Sequence, residues 1–145
     1  MKYRVVITGM GVVAPNAVGL DNFLEAIQKG KSGVTFHQKL HDLKFSCCIG
    51  GIPSISEELK SQYLTPLQLR GFDSAGILYG CIAGTDAWKD AGFEIDKKSP
   101  TDYNSGMVFG TGTSGIEKFR EAIYKLDDQK VKRLGSNVVM QTMAS

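Results

Sequence analysis

The stretch RVVITGMGVVAPNAVG, Arg4 to Gly19, decides how this chain is read. The run Tyr3 to Thr8, with Val5, Val6 and Ile7 in continuous apolar order, predicts a buried strand. It leads into Gly9-Met10-Gly11-Val12-Val13-Ala14, the G-x-G-x-x-A spacing of a dinucleotide-binding turn. A second glycine run, Gly110-Thr111-Gly112-Thr113-Ser114-Gly115, follows another expected strand, Gly106 to Gly110, and precedes an expected helix, Ile116 to Leu126.

A dinucleotide site needs more than glycines. An acidic residue roughly 20 positions on must meet the ribose, and a helix must open at the glycines to hold the pyrophosphate. The corresponding window, KGKSGVTFHQKL, contains no Asp or Glu, and Asp42 beyond it lies in irregular sequence. Pro15 and Asn16 delay the helix after the first turn, and no strand with a terminal acid follows the second. The glycines therefore read as tight turns that let backbones approach closely.

The remaining composition narrows the class. A chain of 145 residues, 42% hydrophobic and 22% charged, has the profile of one globular domain. Its net charge of +2 offers no basic stripe for nucleic acid, since the basic residues of KLDDQKVKR alternate with Asp127 and Asp128. No apolar run approaches the ~20 residues of a membrane span. Cys47, Cys48 and Cys81 form no disulfide framework, which points to a reducing cytoplasm. They read as small buried apolar residues. His37 and His41, four apart with Cys47 and Cys48 nearby, fit no standard zinc spacing, so no metal site is expected.

Further elements follow from pattern. Asp21 is the expected N-cap of a helix over NFLEAIQKG, with Phe23, Leu24 and Ile27 on one side and Gly30 past its end. Residues 31–55 read as irregular, with one strand near Phe45 to Ile49. Ser56 caps a helix to Tyr63 with Leu59 and Tyr63 inward, and Pro66 marks another start or turn. Phe72 to Ala91 is an apolar helix in which Gly76, Gly80 and Gly84 line one face, with Ile77, Leu78, Cys81 and Trp88 on the others. Glycine inside a helix costs about 1 kcal/mol against alanine, so close approach of another backbone is expected to offset it. After a polar linker, Asp127 to Arg133, the segment LGSNVVMQTMAS reads as a helix with apolar Val138, Val139 and Met143. An apolar helix of this kind, and the absence of a cap or breaker at the end, lead us to expect part of a larger fold.

Together these residues resemble the β-ketoacyl-acyl-carrier-protein synthases. Thr8-Gly9-Met10-Gly11, Pro15 and Gly30-Lys31-Ser32-Gly33-Val34 fit that family's opening pattern position for position. Asp90-Ala91-Gly92 closes a helix as the family's D-A-G does, GMVFGTGTSG is similar to its strand and glycine turn, and RLGSNVVMQTMAS is similar to a helical segment of its unsaturated-fatty-acid subgroup. The resemblance implies an α/β, thiolase-like fold of two βαβαβαββ halves in alternating layers, working as a homodimer. Residues 1–145 would supply only the amino-terminal part of the first half.

The resemblance also implies a chemistry: decarboxylative condensation of an acyl thioester with a malonyl carrier. It uses a cysteine thiolate at a helix N-terminus and an oxyanion held by backbone N–H groups. The family's nucleophile pattern, [ST]-A-C-[AST], matches none of the three cysteines, and neither histidine matches H-G-T or G-H-x-x-G. No catalytic residue, and no cofactor, is therefore expected in this chain. What it would carry is the wall of the acyl pocket, at Thr113, Phe119, Val139 and Met143, with Thr113 at a position that gates chain entry. For Phe119, Val139 and Met143, ordinary packing is the competing reading. The acyl carrier protein is acidic, and Arg70 stands at a family docking position, while Pro66 and Leu67 replace basic residues and Lys60 lies further off. Two other readings stay open: a non-catalytic, chain-length-factor subunit that pairs with an active synthase, and a nucleotide-binding module.

Overall fold

The structure, a computed structural model, describes residues 3–72, 74–96, 100–112 and 114–142. They form an α/β arrangement in two compact units, Met1–Leu59 with Ile82–Ile95, and Lys60–Cys81 with Asp96–Ser145.

In the first unit, β1 (Val13–Ala14) pairs antiparallel with β2 (Ala17–Val18) across Pro15-Asn16. The helix α1 (Leu20–Gln28) follows. Its N-cap is Gly19 at φ 85°, not Asp21, and no side chain caps it. Asp21 sits inside the first turn instead, where a carboxylate still favours the helix dipole. The C-terminus closes as a Schellman motif, with Gly30 at φ 63°, its N–H on the Ile27 carbonyl and the Lys31 N–H on the Ala26 carbonyl. Ala26 is the buried residue of this helix, Phe23 is half-buried, and Leu24 and Ile27 are exposed.

Two expected strands are not formed as ladders. Residues 3–12 and 105–111 lie in no strand, and Val5 and Val108 are 94% and 101% exposed. A buried strand owes its burial to neighbours on either side and to helices above and below, and no strand lies beside either segment among the described residues. In 31–55, by contrast, two strands form where one was expected and further along the chain. The strand β3 (Val34–Phe36) pairs antiparallel with β4 (Ile49–Gly51) around α2 (Gln38–Asp42), and His37 N–H to the Cys48 carbonyl at 2.7 Å extends the ladder. Glycines are weak strand formers, but here they make room for Pro15: a Cβ at Gly51 would lie 2.8 Å from Pro15 Cγ.

The helix α3 (Glu57–Tyr63) starts as expected, with the Leu59 N–H on Ser56 Oγ at 3.2 Å, and Leu59 and Tyr63 half-buried. The helix α4 (Pro66–Gly71) is fixed by a capping box: Gln68 N–H donates to Thr65 Oγ1 and Thr65 N–H to Gln68 Oε1. The long helix α5 (Ala75–Asp90) gives Ala75–Cys81 to the second unit and the rest to the first. Leu78 and Ile82 are buried along it. Trp88 is partly exposed instead of interior, its ring against Phe93 and its Nε1 donating to the Glu94 carbonyl. After α6 (Ile116–Asp127) and a 3-10 turn (Val131–Arg133) comes α7 (Val138–Thr142). None of the helices among the described residues is long and apolar enough to cross a membrane.

Candidate functional site

The first glycine turn is a packing device. A Cβ at Gly9 would lie 2.2 Å from the Ala87 carbonyl oxygen, and one at Gly11 would lie 2.0 Å from that of Ala83. The turn thus rests directly on the backbone of α5, and Met10 N–H donates to Asp90 Oδ2 at 2.9 Å. The helix face that meets it is made by alanines. Gly76 and Gly80 of α5 meet side chains rather than another backbone, which corrects the sequence expectation for them. A Cβ at Gly80 would strike the Phe109 ring at 2.6 Å, and one at Gly76 would lie 3.1 Å from Ser114 Oγ. An aromatic ring and a small side chain offset the missing glycine side chains as a backbone would.

The second glycine turn opens α6 through Gly115 at φ 61°, a left-handed conformation that favours glycine. A Cβ there would also lie 1.8 Å from the Gln141 carbonyl oxygen, so the start of α6 abuts α7. The Gln141 side chain is buried, and its Oε1 accepts from the Ser74 N–H at 2.9 Å. Glu117 Oε1 accepts from the Ala75 N–H, also at 2.9 Å. Two side chains from α6 and α7 therefore occupy the first free N–H groups of α5. The Glu117 carboxylate has the sign that this end of the helix dipole favours. Beside them, Ser74 Oγ is fully buried without a hydrogen-bond partner.

Around this junction stand two of the expected pocket residues. Phe119 lies one turn beyond Gly115, its N–H on the Gly115 carbonyl, and is 59% exposed. Val139, in α7, is 63% exposed. Thr113 and Met143 lie outside the described residues. Arg70 is exposed in the last turn of α4. Asp90, Glu117 and Gln141 were not singled out as contacts from sequence. Gln141 carried a signal, being a polar residue within the apolar run of the last helix; Glu117 looked like an ordinary first-turn acid.

The thiols and imidazoles are not assembled into a centre. Cys47 is exposed, which corrects the expectation of burial, while Cys48 and Cys81 are half-buried. Burial raises the Cys81 thiol pKa, so this side chain is held in its protonated, unreactive form. His37 Nε2 lies 3.0 Å from the Gly50 carbonyl oxygen, and the His41 ring leans on Phe36. No group of three His, Cys, Asp or Glu side chains able to hold a metal is formed among the described residues. A cleft of about 430 Å³ between the β1–β2 turn and Lys31, Thr35 and Ser54 contains none of the expected site residues.

The model of the β-ketoacyl synthase N-terminal domain matches residues 2–145. The chain belongs to the β-ketoacyl synthase family. It is 29% identical over 147 residues to the chloroplastic 3-oxoacyl-[acyl-carrier-protein] synthase I of Arabidopsis thaliana, a match covering 92% of the chain and 28% of that protein. It is 27% identical over 135 residues to the tetracenomycin polyketide synthase ketoacyl synthase beta subunit of Streptomyces glaucescens, covering 84% of the chain and 29% of the relative. The crystal structure of a β-ketoacyl synthase from Burkholderia phymatum superposes with a TM-score of 0.75 at 23% identity, over 96% of this chain and 33% of that one. The fold is thus the thiolase-like α/β fold of the synthases, and the chain spans about a third of the length of these relatives.

Proposed function

We propose that residues 1–145 form the amino-terminal part of a ketosynthase domain whose parent enzyme condenses an acyl thioester with a malonyl carrier. In this reading the chain supplies scaffold and acyl-pocket wall, and the nucleophile and the two histidines are not among its residues. Phe119 and Val139, with Thr113 and Met143, line the acyl chain. Arg70 meets the acidic carrier protein, and a second ketosynthase subunit completes the working unit in the cytoplasm. The observation that carries the reading is the fit of the Gly9–Gly11 turn onto α5. The carbonyls of Ala83 and Ala87 fill the space where a nucleotide-binding turn would offer its backbone to phosphate. Family membership supports the chemistry.

The test is a condensation assay with the purified chain, an acyl-loaded carrier and malonyl-carrier. No product is expected, whereas binding of the loaded carrier is. Product formation would overturn the assignment of no catalytic residues, and failure to bind any acyl-carrier would overturn the pocket.

A second reading is favoured by the relative named as a polyketide ketoacyl synthase beta subunit. Here the parent is a non-catalytic, chain-length-setting partner of an active synthase. Co-purification with a cysteine-bearing synthase, without condensing activity of its own, separates this reading from the first.

A further inference from the structure

We infer that Gln141 is a positioning residue that sets which acyl-chain lengths the site accepts, an inference that rests on the acyl-pocket reading above. The side chain makes a buried hydrogen bond to the Ser74 N–H across 67 residues of sequence, and the main chain of the same residue presses on Gly115. One residue therefore ties α7 to the start of α5 and sets its distance from the start of α6.

Both expected wall residues hang from these two contacts. On α7, Val139 is two positions from Gln141 and so on nearly the opposite side of the helix. With Gln141 held at 5% exposure, the rotation of α7 is fixed and Val139 is turned outward. On α6, Phe119 lies four positions beyond Gly115, on the same face, so the Gly115–Gln141 spacing also sets where its ring stands. Glu117 fixes α6 to α5 independently through the Ala75 N–H. Loss of the Gln141 tether therefore loosens α7 and the Gly115–Gln141 spacing with it, while Glu117 keeps α6 on α5. The expected result is a wall that gives under a longer chain, with Val139 moving further than Phe119.

The test uses the 145-residue chain and a series of acyl-pantetheine thioesters (hexanoyl, decanoyl, hexadecanoyl), with binding read by calorimetry. Gln141→Met keeps the side-chain length and removes the acceptor. It is expected to flatten the ranking of the three affinities by about tenfold, the lower end of what a single methylene discriminates in apolar pockets. Gln141→Glu keeps an oxygen acceptor at the same reach but brings a buried carboxyl beside Glu117, so it is expected to restore the ranking at mildly acidic pH, where that carboxyl is protonated, and not at higher pH. Gln141→Asn keeps the amide and shortens the tether by one methylene. It is the milder variant should Gln141→Met not fold, and it too is expected to change the ranking. If the parent chain binds none of the thioesters, the acyl-pocket reading falls and this inference falls with it. If the parent discriminates and the folded Gln141→Met and Gln141→Asn variants rank the three as the parent does, Gln141 is structural only and the pocket reading stands.

Discussion

Asp90 accepts from the Met10 N–H at 2.9 Å, joining residues 80 apart in sequence. The carboxylate belongs to the last residue of α5, just before Gly92 at φ 83° ends the helix, with the Phe93 N–H on the Trp88 carbonyl and the Gly92 N–H on that of Lys89. The family's D-A-G sequence thus has a local physical meaning here: the Gly stops the helix and the Asp latches the glycine turn onto it. Because the bond is exposed to water, its loss should be modest. Asp90→Ala is expected to lower unfolding free energy by about 1 kcal/mol, measured by urea denaturation. Asp90→Asn should recover part of that through its remaining carbonyl oxygen. Equal stability of the parent and the Ala variant would show that the contact contributes nothing.

Gly110, in the second glycine turn, should respond to alanine oppositely to the two glycines of the first. At Gly9 and Gly11 an added Cβ meets backbone carbonyls of α5 at 2.2 and 2.0 Å, and backbone cannot step aside as a side chain can. Each Gly→Ala change there should cost about 1–3 kcal/mol. A Cβ added at Gly110 would meet nothing beyond its chain neighbours within 4 Å, and its φ is not in the left-handed region. Gly110→Ala should be neutral or stabilising by up to about 1 kcal/mol, through a less flexible unfolded chain. Thermal unfolding of the three variants side by side checks this, and an equally damaging Gly110→Ala would contradict it.

These contrasts show what could be read in advance. Apart from α2, in a stretch that read as irregular, the helices were legible because their signals are local: Ser56, Pro66, Gly30 and Gly92 act through neighbours a few positions away. The packing role of Gly9 and Gly11 was legible by elimination, from the missing acid and the delayed helix. Strand pairing was not legible, because a ladder depends on partners far along the chain. Hence Val5 reads as buried and stands exposed, and Val108, read in a strand, stands exposed in none, while the Val34–Phe36 and Ile49–Gly51 pair went unread behind Gly50 and Gly51. The junction of Ser74, Glu117 and Gln141 was hidden for the same reason, since its hydrogen bonds span 42 and 67 residues.

Cys81 gives a pH-dependent test of α5. Burial raises its thiol pKa, so the folded state holds the proton more tightly than the unfolded state does. The stability linked to this proton is fully present below the pKa of the unfolded thiol, about 8.5. It is lost as pH rises through the higher folded value. Iodoacetamide should therefore label Cys81 more slowly than exposed Cys47 near pH 8, with the lag narrowing as pH rises. Peptide mapping of labelled chain at several pH values measures it. Matching rates at both sites throughout would show that α5 opens faster than it is labelled.

Arg70 provides the test of carrier docking. It stands exposed in the last turn of α4, whose start is held by the Thr65–Gln68 capping box, so charge reversal there should leave the helix intact. A cation beside an acidic partner acts chiefly on the rate of encounter, and salt screens it. Arg70→Glu should thus weaken binding of an acyl carrier protein several-fold at low ionic strength, mostly through a slower association rate. The difference from the parent should shrink as salt is added. With Pro66 and Leu67 where the family has basic residues, Arg70 has little support nearby, so the parent's own salt dependence should be shallow. Stopped-flow association at two ionic strengths decides the matter. A variant that binds as fast as the parent at low salt would move the docking surface away from α4, leaving the acyl-pocket residues as the chain's contribution to the synthase.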